Sequence, residues 1–117
     1  MLSITPKHKV YLAIQAIDFR LGIDGLSALC RTQFSLDPLS GHCFIFRNKK
    51  SSAIKILIYD SQGFWLCQKR LSKGSFRFWP KEPTSMIIFN STQLQVLLHN
   101  GNPQAVNTER PWRLITE

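Results

Sequence analysis

With 117 residues and 15 Lys and Arg against 7 Asp and Glu, the chain is one domain's worth of sequence with a net charge of +8. An apolar content of 44% with 19% charged residues excludes a disordered polyelectrolyte, and no apolar run approaches the roughly 18 residues that span a bilayer. The first residues, Met1-Leu2-Ser3-Ile4-Thr5-Pro6, form neither a charged leader nor a continuous apolar stretch, so a cytoplasmic protein with no membrane partner is expected.

Along the chain, Val10, Leu12, Ile14 and Ala16 alternate with Tyr11, Ala13 and Gln15, the pattern of a half-buried strand. A turn follows at Asp18-Phe19-Arg20-Leu21-Gly22. Asp24 then stands as the cap of a helix whose apolar positions are Leu26, Leu29, Cys30 and Phe34, ending near Ser35. Pro38 and Gly41 mark a loop. From residue 43 the chain reads as short strands at 43–47, 54–59, 64–70 and 76–79. Asp60-Ser61-Gln62-Gly63 is the clearest turn, with an acceptor side chain at its start and a glycine for positive φ at its close. So short a link requires antiparallel pairing of 54–59 with 64–70, and Ser72-Lys73-Gly74-Ser75 should extend the meander. Met86-Ile87-Ile88-Phe89 reads as one more buried strand. Asn90 with Gln93 predicts a capping box on a second helix striped by Leu94, Leu97 and Leu98 and stopped by Asn100-Gly101. The expectation is an α+β domain over residues 1–101, a mostly antiparallel sheet of about five strands with two helices, and an irregular tail over 102–117.

Residues 47–81 hold nine of the basic side chains (Arg47, Lys49, Lys50, Lys55, Lys69, Arg70, Lys73, Arg77 and Lys81) against one acid, Asp60. The remainder is neutral, so the entire excess charge sits in one segment interleaved with aromatic residues. Such a segment suits nucleic acid, where cations meet phosphate and rings stack on bases. The alternation of Lys55 with Ile54 and Ile56, and of Arg77 and Trp79 with Phe76 and Phe78, suggests a basic, aromatic sheet face. The loop Arg47-Asn48-Lys49-Lys50-Ser51-Ser52 suggests a basic hairpin tip. The candidate nucleic-acid contacts are Arg47, Lys49, Lys50, Lys55, Lys69, Arg70, Lys73 and Arg77, with Trp79 packing or stacking.

Candidates for catalysis are weaker. Asp18, Asp24 and Asp60 with His8 and His42 match no spacing that a metal centre or nucleophile demands, since Asp24 reads as a cap and Asp60 as a turn former. Cys30, Cys43 and Cys67 lack a Cys-x-x-Cys pair and sit among apolar neighbours, which suggests buried hydrophobes rather than a disulfide or zinc set. No enzyme activity, metal or cofactor is expected.

Several ordered segments resemble the TnpB accessory proteins, also called Orf2-like, of bacterial insertion sequences of the insertion sequence 66 group. They are Asp18-Phe19-Arg20-Leu21-Gly22-Ile23-Asp24-Gly25-Leu26, then Asp37-Pro38-Leu39-Ser40-Gly41-His42-Cys43-Phe44-Ile45-Phe46-Arg47-Asn48-Lys49-Lys50. Ile54-Lys55-Ile56-Leu57, Asp60, Gly63-Phe64, Lys69-Arg70-Leu71, Lys73-Gly74, Phe78-Trp79-Pro80, Gln93-Leu94 and Leu97-Leu98 continue the likeness. Leu21 departs from it, standing where the family carries a basic residue. The resemblance implies a non-catalytic role in transposition beside a separate transposase, distinct from the RNA-guided nuclease that shares the name TnpB. The expected partners are DNA and the transposase or other proteins of the same element. In the alternative reading the protein is an adaptor for the transposase without DNA contact, and Asp18, Phe19 and Arg20 are the prime contacts.

Overall fold

The computed structural model describes residues 9–105. Five strands, β1 (Val10–Ala13), β2 (Cys43–Arg47), β3 (Ala53–Tyr59), β4 (Phe64–Arg70) and β5 (Met86–Phe89), form one sheet in the order β4-β3-β2-β1-β5. Two helices, α1 (Ile23–Thr32) and α2 (Ser91–Leu98), complete an α+β fold. Every pairing is antiparallel except β1 with β2, which run parallel because α1 carries the chain from one to the other.

The two helices cover opposite faces. Val10, Leu12 and Ile14 with Cys43, Ile45, Ile54 and Ile58 pack against Leu94 and Leu97 of α2. Ala13, Phe44, Phe46 and Leu57 pack against Leu26 and Cys30 of α1. The strand expected to be half-buried is therefore covered on both sides: Ala13 is as fully enclosed as Leu12. Period-two alternation told the two faces apart but not which was wet, because Tyr11 and Ala13 are small or amphipathic enough to read as either.

The hairpin turn behaves as its residues dictate. The Asp60 carboxylate accepts the N–H groups of Gln62 and Gly63, both at 3.0 Å, and the Asp60 N–H donates to the Gly63 carbonyl. Positive φ falls on Ser61 (77°) rather than on Gly63. The Asn90–Gln93 capping box forms in both directions at 2.9 and 3.0 Å. At α1 the cap is Gly22, with no side-chain bond, and Asp24 sits in the first turn, where its charge suits the helix dipole. The helix ends at Thr32, three residues short of the expected stop. Of the cysteines, Cys30 and Cys43 are buried and burial pushes their thiols up to about 11 and about 12, whereas Cys67 is exposed. Past Gly101 the fold continues through a short 3-10 turn, Pro103–Ala105, whose proline is buried and whose carbonyl accepts from Gln93. Residues 106–117 of the expected tail lie outside the described residues.

The expected strand at 76–79 does not form. Phe76 and Trp79, three apart, both turn into the α2-side core, leaving Arg77 and Phe78 outside, so the segment is a turn read as an alternation. The Trp79 indole N–H donates to the Ala13 carbonyl at 2.9 Å, which fixes the segment over the end of β1, and the ring, 7% exposed, packs into the core. Trp79→Phe keeps most of the apolar contact but orphans that buried carbonyl. It should lower unfolding free energy by about 1–3 kcal/mol in urea denaturation, and a neutral result would show that the bond does not anchor the segment.

Candidate functional site

The basic residues separate into distinct environments. Lys55 belongs to none of the exposed ones. On β3 it points to the α1 face, is 8% exposed, and donates from Nζ to the carbonyls of Phe19 (2.7 Å) and Leu21 (2.9 Å). The Phe19 ring lies 4.7 Å from the same nitrogen. A buried ammonium costs several kcal/mol unless bonded, and two carbonyls with a ring face supply that bonding. Lys55 thus ties the β1–α1 connection to the sheet and drops out of the solvent-facing set.

The connection it holds contains Asp18-Phe19-Arg20. The Asp18 carboxylate accepts the Arg20 N–H at 3.0 Å and pairs with the Arg20 guanidinium at 2.8 Å. The hydrogen bonds from Arg20 pull the Asp18 carboxyl from an ordinary 3.8 down to about 2, and the Arg20 guanidinium moves up in turn. The two charges of this motif therefore satisfy one another, and Phe19 serves Lys55.

The exposed charge gathers elsewhere, around a cleft of about 620 Å³ at the β2–β3 hairpin. Arg47, Lys50, Arg77 and Lys81 line it against a single acid, Glu82, with Ser51, Ser75 and Gln15 between them and Ile14, Phe76, Trp79 and Pro80 as apolar wall. Three separate segments are brought together here, held by hydrogen bonds to their backbone groups. Asn48 clamps the hairpin loop by accepting the N–H groups of Ser52 (2.9 Å) and Ala53 (3.1 Å) on its side-chain oxygen. Phe76 N–H donates to the Ser51 carbonyl at 2.8 Å, joining the 75–82 segment to that loop. Asn100, just past α2, accepts Arg77 N–H at 3.0 Å and donates to the Ser75 carbonyl at 3.0 Å.

Arg47 spans the junction. Its Nε donates to the Ile14 carbonyl (3.1 Å) and one terminal nitrogen reaches Ser51 Oγ (3.1 Å), while partial burial lowers its pKa from the ordinary guanidinium value. Arg47 is therefore a fixed charge. A shallower depression lined by Lys73, Gly74, Ser75, Arg77 and Asn100 shares Ser75 and Arg77 with the cleft and extends the basic surface. Lys49 is exposed on the hairpin loop, and Lys69 and Arg70 are exposed on β4, where the Lys69 ammonium donates to the Leu98 carbonyl at the end of α2.

Of the residues expected from sequence, Arg47, Lys50, Arg77 and Trp79 converge on the cleft. Lys81 and the serines were missed as site residues, although Lys81 lay inside the charged segment and was recoverable from it. The carboxylates do not converge: Asp18 is paired with Arg20, Asp24 lies on α1 and Asp60 closes the hairpin turn. Among the described residues no three His, Cys, Asp or Glu side chains form a metal-holding group; His8 lies outside them. No helix among them is long and apolar enough to cross a membrane.

Residues 8–108 match the protein family described as IS66 Orf2 like protein, TnpB_IS66. The chain belongs to that family. As a member of the IS66 Orf2-like family it is an accessory protein of bacterial insertion-sequence transposition. It is similar to the uncharacterized protein y4hO of Sinorhizobium fredii, 34% identical over 98 residues that make up 84% of each chain. It is also similar to the uncharacterized protein y4jC of the same organism, 36% identical over 72 residues, 62% of each chain. No solved structure matches at a significant level.

Two outcomes test the wiring of this IS66 Orf2-like chain. Lys55→Met should cost about 1–3 kcal/mol of stability, because the Phe19 and Leu21 carbonyls lose a charged donor; urea denaturation measures it, and no loss would mean water replaces the ammonium. The depressed Asp18 pKa contributes stability that is present above the unfolded value near 4 and is lost as pH falls through about 2. Carboxyl-detected NMR titration should place Asp18 near 2 in the native chain and return it toward 3.8 in Arg20→Gln.

Proposed function

We propose that this accessory protein binds the phosphate backbone of nucleic acid, DNA in transposition, through the basic cleft and its rim. The observation that carries the reading is the convergence of Arg47, Lys50, Arg77 and Lys81 on one cleft with Glu82 as the only acid. Lys73 in the adjoining depression and Lys49 on the hairpin loop enlarge the contact, and Lys69 and Arg70 lie farther along the same charged segment. Guanidinium groups suit phosphate because their planar donors engage two oxygens at once. Arg47, held by carbonyls and Ser51, is already oriented, and its fixed charge costs little to order on binding. Ser51 and Ser75 add neutral hydroxyls beside the cations. Cations and hydroxyls around the cleft suit phosphate oxygens, so the reading is of backbone contact with little sequence preference.

Fluorescence anisotropy of the purified protein with a labelled element-end duplex and a scrambled duplex, across a salt series, tests this. With four cations on phosphates, log affinity should fall against log salt with a slope of about −3.6, nearly equal for the two duplexes. Lys50→Glu combined with Arg77→Glu should cut affinity at least about tenfold and flatten the slope, whereas Lys55→Met should leave the slope unchanged. A flat salt response in the native protein would refute the reading. No binding at low salt, together with capture of the element's transposase that free DNA does not compete, would replace DNA with an acidic protein surface as the partner.

A further inference from the structure

β4 is an edge strand, and the phase of its hydrogen bonds identifies which groups face outward. Asp60 donates to the Gly63 carbonyl and Leu71 to the Ser52 carbonyl, so those two pairs are hydrogen-bonded ones. Hydrogen-bonded pairs alternate along an antiparallel ladder. The register Ile58 to Trp65, Ile56 to Cys67 and Ile54 to Lys69 therefore uses the backbone groups of Trp65, Cys67 and Lys69 inward. The N–H and C=O groups of Phe64, Leu66, Gln68 and Arg70 point away from β3, and no described strand takes them.

Native edges are blunted by proline, a bulge, a very short strand or charged side chains, lysine above all. β4 has only the last of these, Lys69 and Arg70 at one end, and otherwise runs seven residues in unbroken register. Its sequence is divided, with Phe64, Trp65 and Leu66 at one end and Gln68, Lys69 and Arg70 at the other, about Cys67 in the middle.

From this we propose that β4 pairs antiparallel with β4 of a second copy about a two-fold axis at Cys67, joining two sheets into one ten-stranded sheet. This is the only centre that pairs all seven residues. Leu66 then faces Gln68 and Phe64 faces Arg70 of the other copy, and all four residues have free backbone groups, so the outward donors and acceptors are satisfied. Trp65 faces Lys69, and the two Cys67 residues face one another at a non-hydrogen-bonded position, where Cα atoms approach to about 4.5 Å. Arg70 meets the Phe64 ring, a favourable pairing, and the aliphatic stem of Lys69, whose ammonium is held by the Leu98 carbonyl, lies against the Trp65 ring. Trp65 is 44% exposed and its indole N–H is held by Asp60 at 2.7 Å, so the ring is available at a fixed place. The like charges of the two Lys69 residues sit four positions apart, roughly 14 Å, beyond the Debye length of about 8 Å at physiological salt. The net charge of +8 on each copy opposes association at low salt and is screened at higher salt.

Sedimentation velocity of the full chain under reducing conditions, up to concentrations on the order of 100 μM, reads the equilibrium, since an interface of one strand pair is small. A dimer that strengthens as salt rises is expected. Gln68→Pro removes an outward N–H that β3 does not use, and proline is tolerated at such edge positions. It should raise the dimer dissociation constant at least about tenfold with an unchanged circular dichroism spectrum. Should that variant misfold, Cys67→Lys sets two ammonium groups directly opposite and should give the same loss. Diamide, which accepts the two electrons and two protons released as a pair of thiols becomes a disulfide, should link copies through Cys67, and Cys67→Ser should abolish the link while leaving the dimer. A monomer at every concentration, a dimer indifferent to both variants, or cross-linking that survives Cys67→Ser would overturn the proposal.

Discussion

Strands β1, β2 and β3 are covered on both faces, so every side chain along them must be apolar or bring its own partner. With one short helix on each face, the sheet has no wet side in its middle. Lys55, the one charged residue in these strands that is fully enclosed, meets the requirement by donating to two loop carbonyls over a ring. All other cations of the 47–81 segment are displaced to strand ends, loops and the β4 edge. The surface charge pattern is thus a consequence of how the core is closed. A basic sheet face, which alternation in sequence suggested, has no place on strands β1 to β3, which are covered on both sides.

That constraint also explains which parts of the fold were legible. The 54–70 hairpin was readable because Asp60 leaves one local solution for the chain reversal, and α2 because Asn90 and Gln93 name its first turn. The parallel pairing of β1 with β2 was not, since it depends on α1 crossing the sheet rather than on any residue in either strand. The segment 76–79 misled because Phe76, Arg77, Phe78 and Trp79 fit an alternation as well as a turn, and only the Ala13 carbonyl waiting for the indole decides between them. Convergence of Arg47 and Lys50 with Arg77 and Lys81 was equally invisible, because the bond that joins the two segments, from the Phe76 N–H to the Ser51 carbonyl, is between backbone groups and carries no sequence pattern.

The stretches that carry the resemblance to the IS66 Orf2-like family are largely architectural. In Asp18-Phe19-Arg20 the charges neutralise each other and the ring seats Lys55. Asp37 accepts the Leu39 N–H, Pro38 is buried, and Gly41 takes φ 88°, a set that shapes the approach to β2. Leu21 contributes its carbonyl to Lys55 and its side chain to the α1-side core, so its bond to Lys55 is made by backbone and requires no particular side chain.

A cleft built from loops would ordinarily bind weakly, because ordering its long cationic side chains and mobile backbone consumes part of the gain. Here the loops are stitched together before any ligand arrives. Asn48 holds the hairpin loop, Ser51 holds residue 76, Asn100 holds residues 75 and 77, and Trp79 holds the end of the segment to β1. Under the proposed reading only the side chains of Lys50, Arg77 and Lys81 would remain to be ordered, since Arg47 is already bonded on two sides. Neutral asparagines, a serine carbonyl and an indole N–H do this stitching, and they add no charge to offset the cations they position. The cleft's rigidity and its positive potential therefore come from different residues, which is what allows a domain this small to hold four cations around one cavity without an acidic partner for each.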